Sequence, residues 1–257
     1  RNLKEYLSFR AGYQEIYTYP WVHSYFIEAA GFETSEWVEL EAPPSPEERF
    51  LRGSLVPSAL FAIDKNLAYF DSFRFYELAQ VFHSNSSIGE AEEVLPLQNR
   101  ELVTAIVGSD PLTMFREAKG IIEELPSFID CEALAFGQVS KPKWADPKVW
   151  LNIMDSSGVV IGSVGLISLK TERLAGIKHH RTVLTSLNVA CLQALDSREN
   201  HYEALPAYPE VEKDLNVVVD ESVSWAEIED SLRGVVKRLA FVEEYRGEQV
   251  EEGKKSI

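Results

Sequence analysis

The chain has 257 residues and a formal net charge of −16, with 45% hydrophobic and 11% aromatic residues. That is enough apolar material for more than one packed domain, and it excludes a disordered tail or a low-complexity tract. The acidic balance also argues against a free nucleic-acid binder, which neutralises phosphates with surplus cations.

No apolar run reaches the length of a membrane span, and the opening Arg1-Asn2-Leu3-Lys4 has no signal-peptide pattern. The chain does not open on methionine, which predicts a piece of a longer protein. Cys131 and Cys191 have neither a disulfide-framework nor a zinc spacing, so a reduced cytoplasmic setting is expected. The histidines, including the adjacent His179 and His180, do not fall at metal-ligand spacings, and no metal site is expected.

In chain order, Leu3 to Phe9 reads as a helix and Tyr13 to Tyr19 as a strand rich in β formers. Pro20 suits the first turn of a second helix with Val22, Phe26 and Ala29 on its apolar face, and Gly31 suits its stop. Pro43, Pro44 and Pro46 mark a loop, and Pro57 opens a helix with Leu60, Ile63 and Leu67 on one face. Phe73 to Phe82 and Leu102 to Val107 read as strands. Asp110-Pro111 caps a helix whose buried stripe is Phe115, Ala118, Ile122 and Leu125. Asp155-Ser156-Ser157-Gly158 joins Trp150–Met154 and Val159–Val164 as a hairpin, and Val183 to Val189 is one more strand.

Asp196 to His201 is polar and lacks periodicity, so a linker is placed at 196–206, between a unit at 1–195 and another at 207–257. In the second unit Leu215 to Val219 reads as a strand. Ser224 and Glu227 form a capping box, with Val223 and Ile228 as a staple. The helix they open carries Ile228, Leu232, Val235 and Leu239 on one side. Phe241 to Tyr245 is expected as a strand, and Lys255-Ser256-Ile257 as the start of another. Strand–helix–strand–strand is the first part of a ferredoxin-like unit.

Two groups of motifs resemble the β subunits of bacterial-type phenylalanyl-tRNA synthetases. Tyr208-Pro209-Glu210-Val211-Glu212-Lys213-Asp214-Leu215 resembles the opening of that family's ferredoxin-fold anticodon-binding domain, and Tyr245-Arg246-Gly247 with Glu252-Gly253-Lys254-Lys255-Ser256 resembles its later signature. Upstream, Gly12 to Tyr19, Leu51-Arg52-Gly53-Ser54-Leu55-Val56-Pro57, Tyr76 to Phe82 and Ile161-Gly162-Ser163-Val164-Gly165 resemble the family's catalytic-like module. Ala42-Pro43-Pro44-Ser45, Tyr76, Ala79 and Gln80 depart from the family pattern.

The resemblance implies an α+β fold: a class II synthetase-type module, an antiparallel sheet with helices, then a partial ferredoxin-like α/β sandwich. It implies a non-catalytic structural and tRNA-binding part of phenylalanine–tRNA ligase in an α2β2 assembly, with ATP and Mg2+ in the partner α subunit and no cofactor in this chain. The alternative is a degenerate synthetase paralogue acting as an interaction or regulatory protein. Amino-acid activation needs cations on the triphosphate. Here Gly158 to Gly165 lead into Leu166-Ile167-Ser168-Leu169 without an arginine, so they read as hairpin and packing glycines, and Arg74 reads as a solvated strand arginine. No catalytic residue is assigned. The candidate tRNA contacts are Lys213, Arg246, Lys254 and Lys255, and the candidate subunit interface is Tyr6, Tyr13, Tyr17 and Tyr19. Tyr and Trp favour interfaces.

Overall fold

A computed structural model describes residues 2–88, 95–198, 209, 211–247 and 249–257. The chain divides into two compact units, Arg1–Asn200 and His201–Ile257. Part of the expected linker, and Tyr208 and Glu210 of the family-like motif, lie outside the described residues.

The first unit opens with α1 (Asn2–Glu5), which continues as a π-turn over Tyr6–Arg10, and then β1 (Gln14–Glu15). β2 (Trp21–Val22), β3 (Val38–Glu39) and β4 (Phe50–Leu51) form a small sheet, with α2 (Ser24–Ala29) between β2 and β3 in the chain. α3 (Val56–Asn66) then leads into the long hairpin of β5 (Phe73–Ile88) and β6 (Leu95–Gly108). α4 (Pro111–Ile129), β7 (Ala135–Gly137), β8 (Ala145–Met154), β9 (Val160–Ile167), α5 (Leu169–Leu174), β10 (Arg181–Asn188) and α6 (Val189–Gln193) complete it.

The main sheet has seven strands in the order β1-β5-β6-β10-β9-β8-β7. β1 runs parallel to β5 and every other pairing is antiparallel. Its interior strand β6 is buried on both faces over residues 101–107, which accounts for a continuous apolar run in place of alternation. Because successive side chains point to opposite faces, Val103, Ala105 and Val107 join Leu60 and Ile63 of α3 in one core, while Leu102 and Ile106 join Ala118, Ile122 and Leu125 of α4 in the other.

α4 starts where Asp110 accepts the backbone N–H of Thr113 at 3.2 Å, and it ends at Asp130 in the left-handed region, φ 60°. Its buried stripe includes Met114 beside Ala118, Ile122 and Leu125, with Phe115 only partly buried. The first helix, the α3 helix and the hairpin around 155–158 fall where the sequence places them. The expected strand over 13–19 shrinks to two residues, because β1 can pair only with the edge of β5. The expected helix at Pro20 starts at Ser24, since Trp21 and Val22 are taken up by pairing with β4.

A buried ion pair ties these pieces together. Arg52, just after β4, donates through Nη1 to Glu77 Oε1 at 2.9 Å and to Thr18 Oγ1 at 3.0 Å, and through Nε to the Gln80 carbonyl at 2.8 Å. Thr18 in turn donates its N–H and its hydroxyl to the Glu77 carboxylate. The segment before β2, the segment after β4 and the middle of β5 therefore meet at one carboxylate.

The second unit has β11 (Val218–Asp220), α7 (Trp225–Leu232) and β12 (Lys254–Ser256), with β11 and β12 antiparallel. The capping box at Ser224 and Glu227 is formed. Two expectations are corrected. The helix stops at Leu232, with Gly234 at φ 84°, so Val235 and Leu239 are not on it. Phe241–Tyr245 is not a strand: β12 is three residues long and offers that segment one bridge, Tyr245 to Ser256.

Removing one partner of a buried pair leaves an uncompensated charge. Arg52→Ala is therefore expected to cost roughly 3–5 kcal/mol, and Arg52→Met with Glu77→Leu to recover much of it. Urea denaturation of the three proteins checks this, and a loss under about 1 kcal/mol in Arg52→Ala would place the pair in the range of a surface contact.

Candidate functional site

A nucleotide-activating sheet needs free cations facing a cleft. Three arginines on or beside this sheet are committed elsewhere, whereas Arg100 on β6 is exposed and lines the sheet cavity. Arg52 belongs to Glu77. Arg74, on β5, donates to Glu117 of α4 at 2.6 Å and to the Ala11 carbonyl at 3.2 Å, and it lies 5.8 Å from the centre of the Tyr13 ring. It is thus a tie between β5, α4 and the N-terminal turn, and the expectation of a solvated arginine is corrected. Arg181, at the start of β10, donates to Glu172 of α5 at 3.1 Å. Burial pushes the Glu172 carboxyl up, against the pull of Arg181.

The glycines of the β8–β9 hairpin serve packing. A Cβ on Gly162 would stand 2.5 Å from the Ser186 carbonyl oxygen, and one on Gly165 would meet Trp150 at 3.0 Å. Gly158 takes φ 84° in the turn, where Asp155 accepts from the N–H groups of Ser157 and Val159.

The sheet carries a cavity of about 210 Å3, lined by residues that include His83, Glu101, Trp144, Ile161, Ser163 and Ser186. Glu101 lies opposite Ala79 on β5 and Asn188 on β10. Its Oε1 accepts from the hydroxyls of Ser54 at 3.0 Å and Ser186 at 2.7 Å. Burial pushes its carboxyl above the ordinary range, and these hydroxyls act against that shift. The sequence reading singled out neither Glu77 nor Glu101. The signal was there: Glu77 alternates with Phe75, Ala79 and Val81, and Glu101 with Val103 and Ala105, so each sits on a core-facing row.

The four tyrosines expected at an interface divide. Tyr6 and Tyr13 are buried in the core, Tyr6 donating its hydroxyl to the Ile121 carbonyl at 2.8 Å. Burial pushes the Tyr13 phenol up to about 12. Both are corrected to core residues, packed by the turn that α1 makes against α4. Tyr17 and Tyr19 are 76% and 70% exposed, Tyr19 stacked on Trp21 at 4.6 Å, with Phe9 83% exposed on the same opening segment.

The four expected tRNA contacts are also differently placed. Lys213 is exposed. Arg246 and Lys255 share Glu244, at 2.8 and 3.1 Å, and Lys254 pairs with Glu251 at 2.6 Å. Lys255 is buried, so its position in the candidate contact surface is corrected: its ammonium is turned to Glu244, an exposed residue of the same unit. The two lysines face different partners because they are neighbours on β12, where alternate side chains take opposite faces. Among the described residues no group of three or more His, Cys, Asp and Glu side chains could hold a metal ion, and no helix is long and apolar enough to cross a membrane.

A model of the family described as phenylalanyl tRNA synthetase beta chain CLM domain matches residues 1–189, and one of the ferredoxin-fold anticodon binding domain matches residues 206–257. The phenylalanine–tRNA ligase β subunit of Bacillus subtilis is 29% identical over 273 aligned residues, covering 100% of this chain and 33% of that protein. The corresponding subunit of Geobacillus kaustophilus is 29% identical, again over 100% of this chain and 33% of its own length. The chain thus spans about a third of the length of these relatives. In fold, the chain is like a solved pyrrolysyl-tRNA synthetase of Desulfitobacterium hafniense, with TM-score 0.58 at 14% identity, over 75% of this chain and 65% of that one.

The shifted Glu101 carboxyl carries a testable sign. A carboxyl raised on folding stabilises the fold below its unfolded pKa, and that contribution is lost as pH rises through the folded value. Glu101→Gln keeps the shape without the charge. Its unfolding free energy relative to the unsubstituted chain is expected to rise between pH 4 and pH 8, read by denaturant titration at each pH. A difference that stays flat would mean that Glu101 ionises in the fold as easily as out of it.

Proposed function

This chain belongs to the phenylalanyl-tRNA synthetase β-chain family, and on that premise we propose that it is the non-catalytic structural and tRNA-binding part of a phenylalanine–tRNA ligase. In this reading residues 1–195 form a catalytic-like module of class II type, 196–206 a linker and 207–257 part of a ferredoxin-like anticodon-binding sandwich. The assembly is an α2β2 heterotetramer in the cytoplasm. Its α subunit binds ATP and Mg2+, activates phenylalanine and charges tRNA(Phe).

The observation that carries the reading is the commitment of Arg52, Arg74 and Arg181 to Glu77, Glu117 and Glu172. A triphosphate needs such cations unpaired. The sheet cavity has the buried carboxylate of Glu101 and a single arginine, Arg100, in its lining, fewer cations than a triphosphate takes. The alternative of a stand-alone paralogue is not favoured, since the relatives matched over the whole chain are β subunits.

The exposed aromatics Phe9, Tyr17 and Tyr19 support a subunit contact on the opening segment, because such a patch is a liability on an isolated surface. Co-expressed with its α subunit, the chain is expected to elute as a stable complex in size-exclusion chromatography. Tyr17→Asp with Tyr19→Asp is expected to weaken that complex. Failure to co-elute would remove the structural role, and normal assembly of the double variant would remove these tyrosines from it.

For tRNA, Lys213 and Arg246 are the exposed cations of the candidate set. Lys213→Glu with Arg246→Glu in the complete subunit is expected to lower tRNA affinity and to flatten its salt dependence by up to about 2 units of log–log slope, at nearly one unit per phosphate contact. An unchanged affinity and slope would make both side chains solvated charge.

A further inference from the structure

We propose that one end of the main sheet carries an RNA contact of its own, made to the phosphate backbone by Lys148, Lys170, Arg173 and Lys178 of the first unit. The inference rests on the reading of the chain as part of a tRNA-charging ligase, and it adds to Lys213 and Arg246 a contact surface on the other unit. A chain of net charge −16 repels RNA at long range, so a phosphate contact has to sit on a local basic island. Residues 141–148 and 168–181 form such an island, where lysines and arginines outnumber the carboxylates, Asp146 and Glu172.

The fold brings the two stretches together. β8 and β10 each run antiparallel to β9, so the start of β8, the end of β9 and the start of β10 share one end of the sheet. Ala145 pairs with Ile167, and the Ser168 N–H donates to the Trp144 carbonyl at 2.9 Å. Arg181 Nη2 donates to the Ile167 carbonyl at 3.4 Å. α5, capped by Ser168, follows β9 directly and adds Lys170 and Arg173. Gly176 at φ 78° and His179 at φ 62° turn the chain back to β10, with Lys178 between them. These backbone ties exist before a ligand arrives, which lowers the ordering cost of binding.

Lys148, Lys170, Arg173 and Lys178 are exposed, and among the described residues no carboxylate lies within ion-pair distance of any of them. The acids nearby are engaged with other groups. Glu172 holds Arg181, Glu36 holds Lys143 at 3.5 Å, and Asp64 holds Lys65 at 3.6 Å. Asp71 faces His180 at 3.8 Å, and Asp146 accepts the Lys148 N–H at 2.9 Å. Protein interfaces are depleted in lysine, whereas nucleic-acid interfaces are strongly basic, so the composition favours RNA over an acidic protein. Of Phe, Tyr and Trp these stretches hold Trp144 alone, and it is buried. With no ring to stack on bases, the contact falls on phosphates and is independent of sequence.

Fluorescence anisotropy over a salt series tests this, with a short RNA duplex, one of its isolated strands and poly-glutamate titrated with the 257-residue chain. RNA is expected to bind more tightly than poly-glutamate. Tighter binding of the duplex would assign the surface to a stem, and of the strand to an unpaired segment; either order supports the phosphate contact. Lys170→Glu with Lys178→Glu is expected to weaken RNA binding by about tenfold and to flatten the log–log salt slope by up to about 2 units. Lys170→Arg with Lys178→Arg is expected to keep both. If RNA binding is undiminished in the Lys170→Glu, Lys178→Glu chain but lost in Lys213→Glu with Arg246→Glu, the proposal is overturned while the tRNA-binding role stands. Poly-glutamate binding as tightly as RNA would overturn it in favour of an acidic protein partner. No binding of either RNA probe would also overturn it, and co-elution with the α subunit then reports separately on the structural role.

Discussion

The first unit depends on one buried ion pair, Arg52 with Glu77. Both side chains are almost wholly out of water, and such a pair persists only when the remaining donors and acceptors are also matched. Here Thr18 and the Gln80 carbonyl complete the set. The consequence is geometric. The N-terminal segment, the small sheet and the long strand β5 cannot shift independently without stranding a charge. β1, with two residues of pairing, would be a weak edge alone; Thr18 and Glu77 hold the chain just beyond it.

The same pattern recurs across the sheet. Arg74 joins β5 to α4 through Glu117, and Arg181 joins β10 to α5 through Glu172. Each arginine tends to spread hydrogen bonds over a carboxylate and backbone carbonyls, which suits its planar fork. A sheet of synthetase type is thereby stapled to its helices by the residue type that a nucleotide site would need to keep free.

Much of the fold was legible in the sequence because it rests on local signals. Asp110-Pro111, Ser224 with Glu227 and Asp155 to Gly158 are capping and turn chemistry, settled within a few residues of chain. What was not legible depends on distant partners. Whether Tyr13 and Tyr17 are core or surface turns on distant packing: Tyr13 joins the core that α4 closes, about a hundred residues later in the chain, while Tyr17 stays exposed with the Lys4 ammonium over its ring. Composition treats the two tyrosines alike. Lys254 and Lys255 looked like one basic pair; the pleat sends them apart, one to Glu251 and one to Glu244. Arg74 looked free because its partner Glu117 sits on another element. The family motifs carried the function class, while the roles of single charges needed the packing.

The account stands on Arg52, Arg74 and Arg181 being ties within the protein. ATP–pyrophosphate exchange with phenylalanine, run on the isolated chain, measures this directly. The account predicts no exchange above background, since no unpaired cation set is available for the triphosphate. Exchange above background that disappears in Arg74→Ala would contradict it, by showing that this arginine leaves Glu117 to serve a nucleotide.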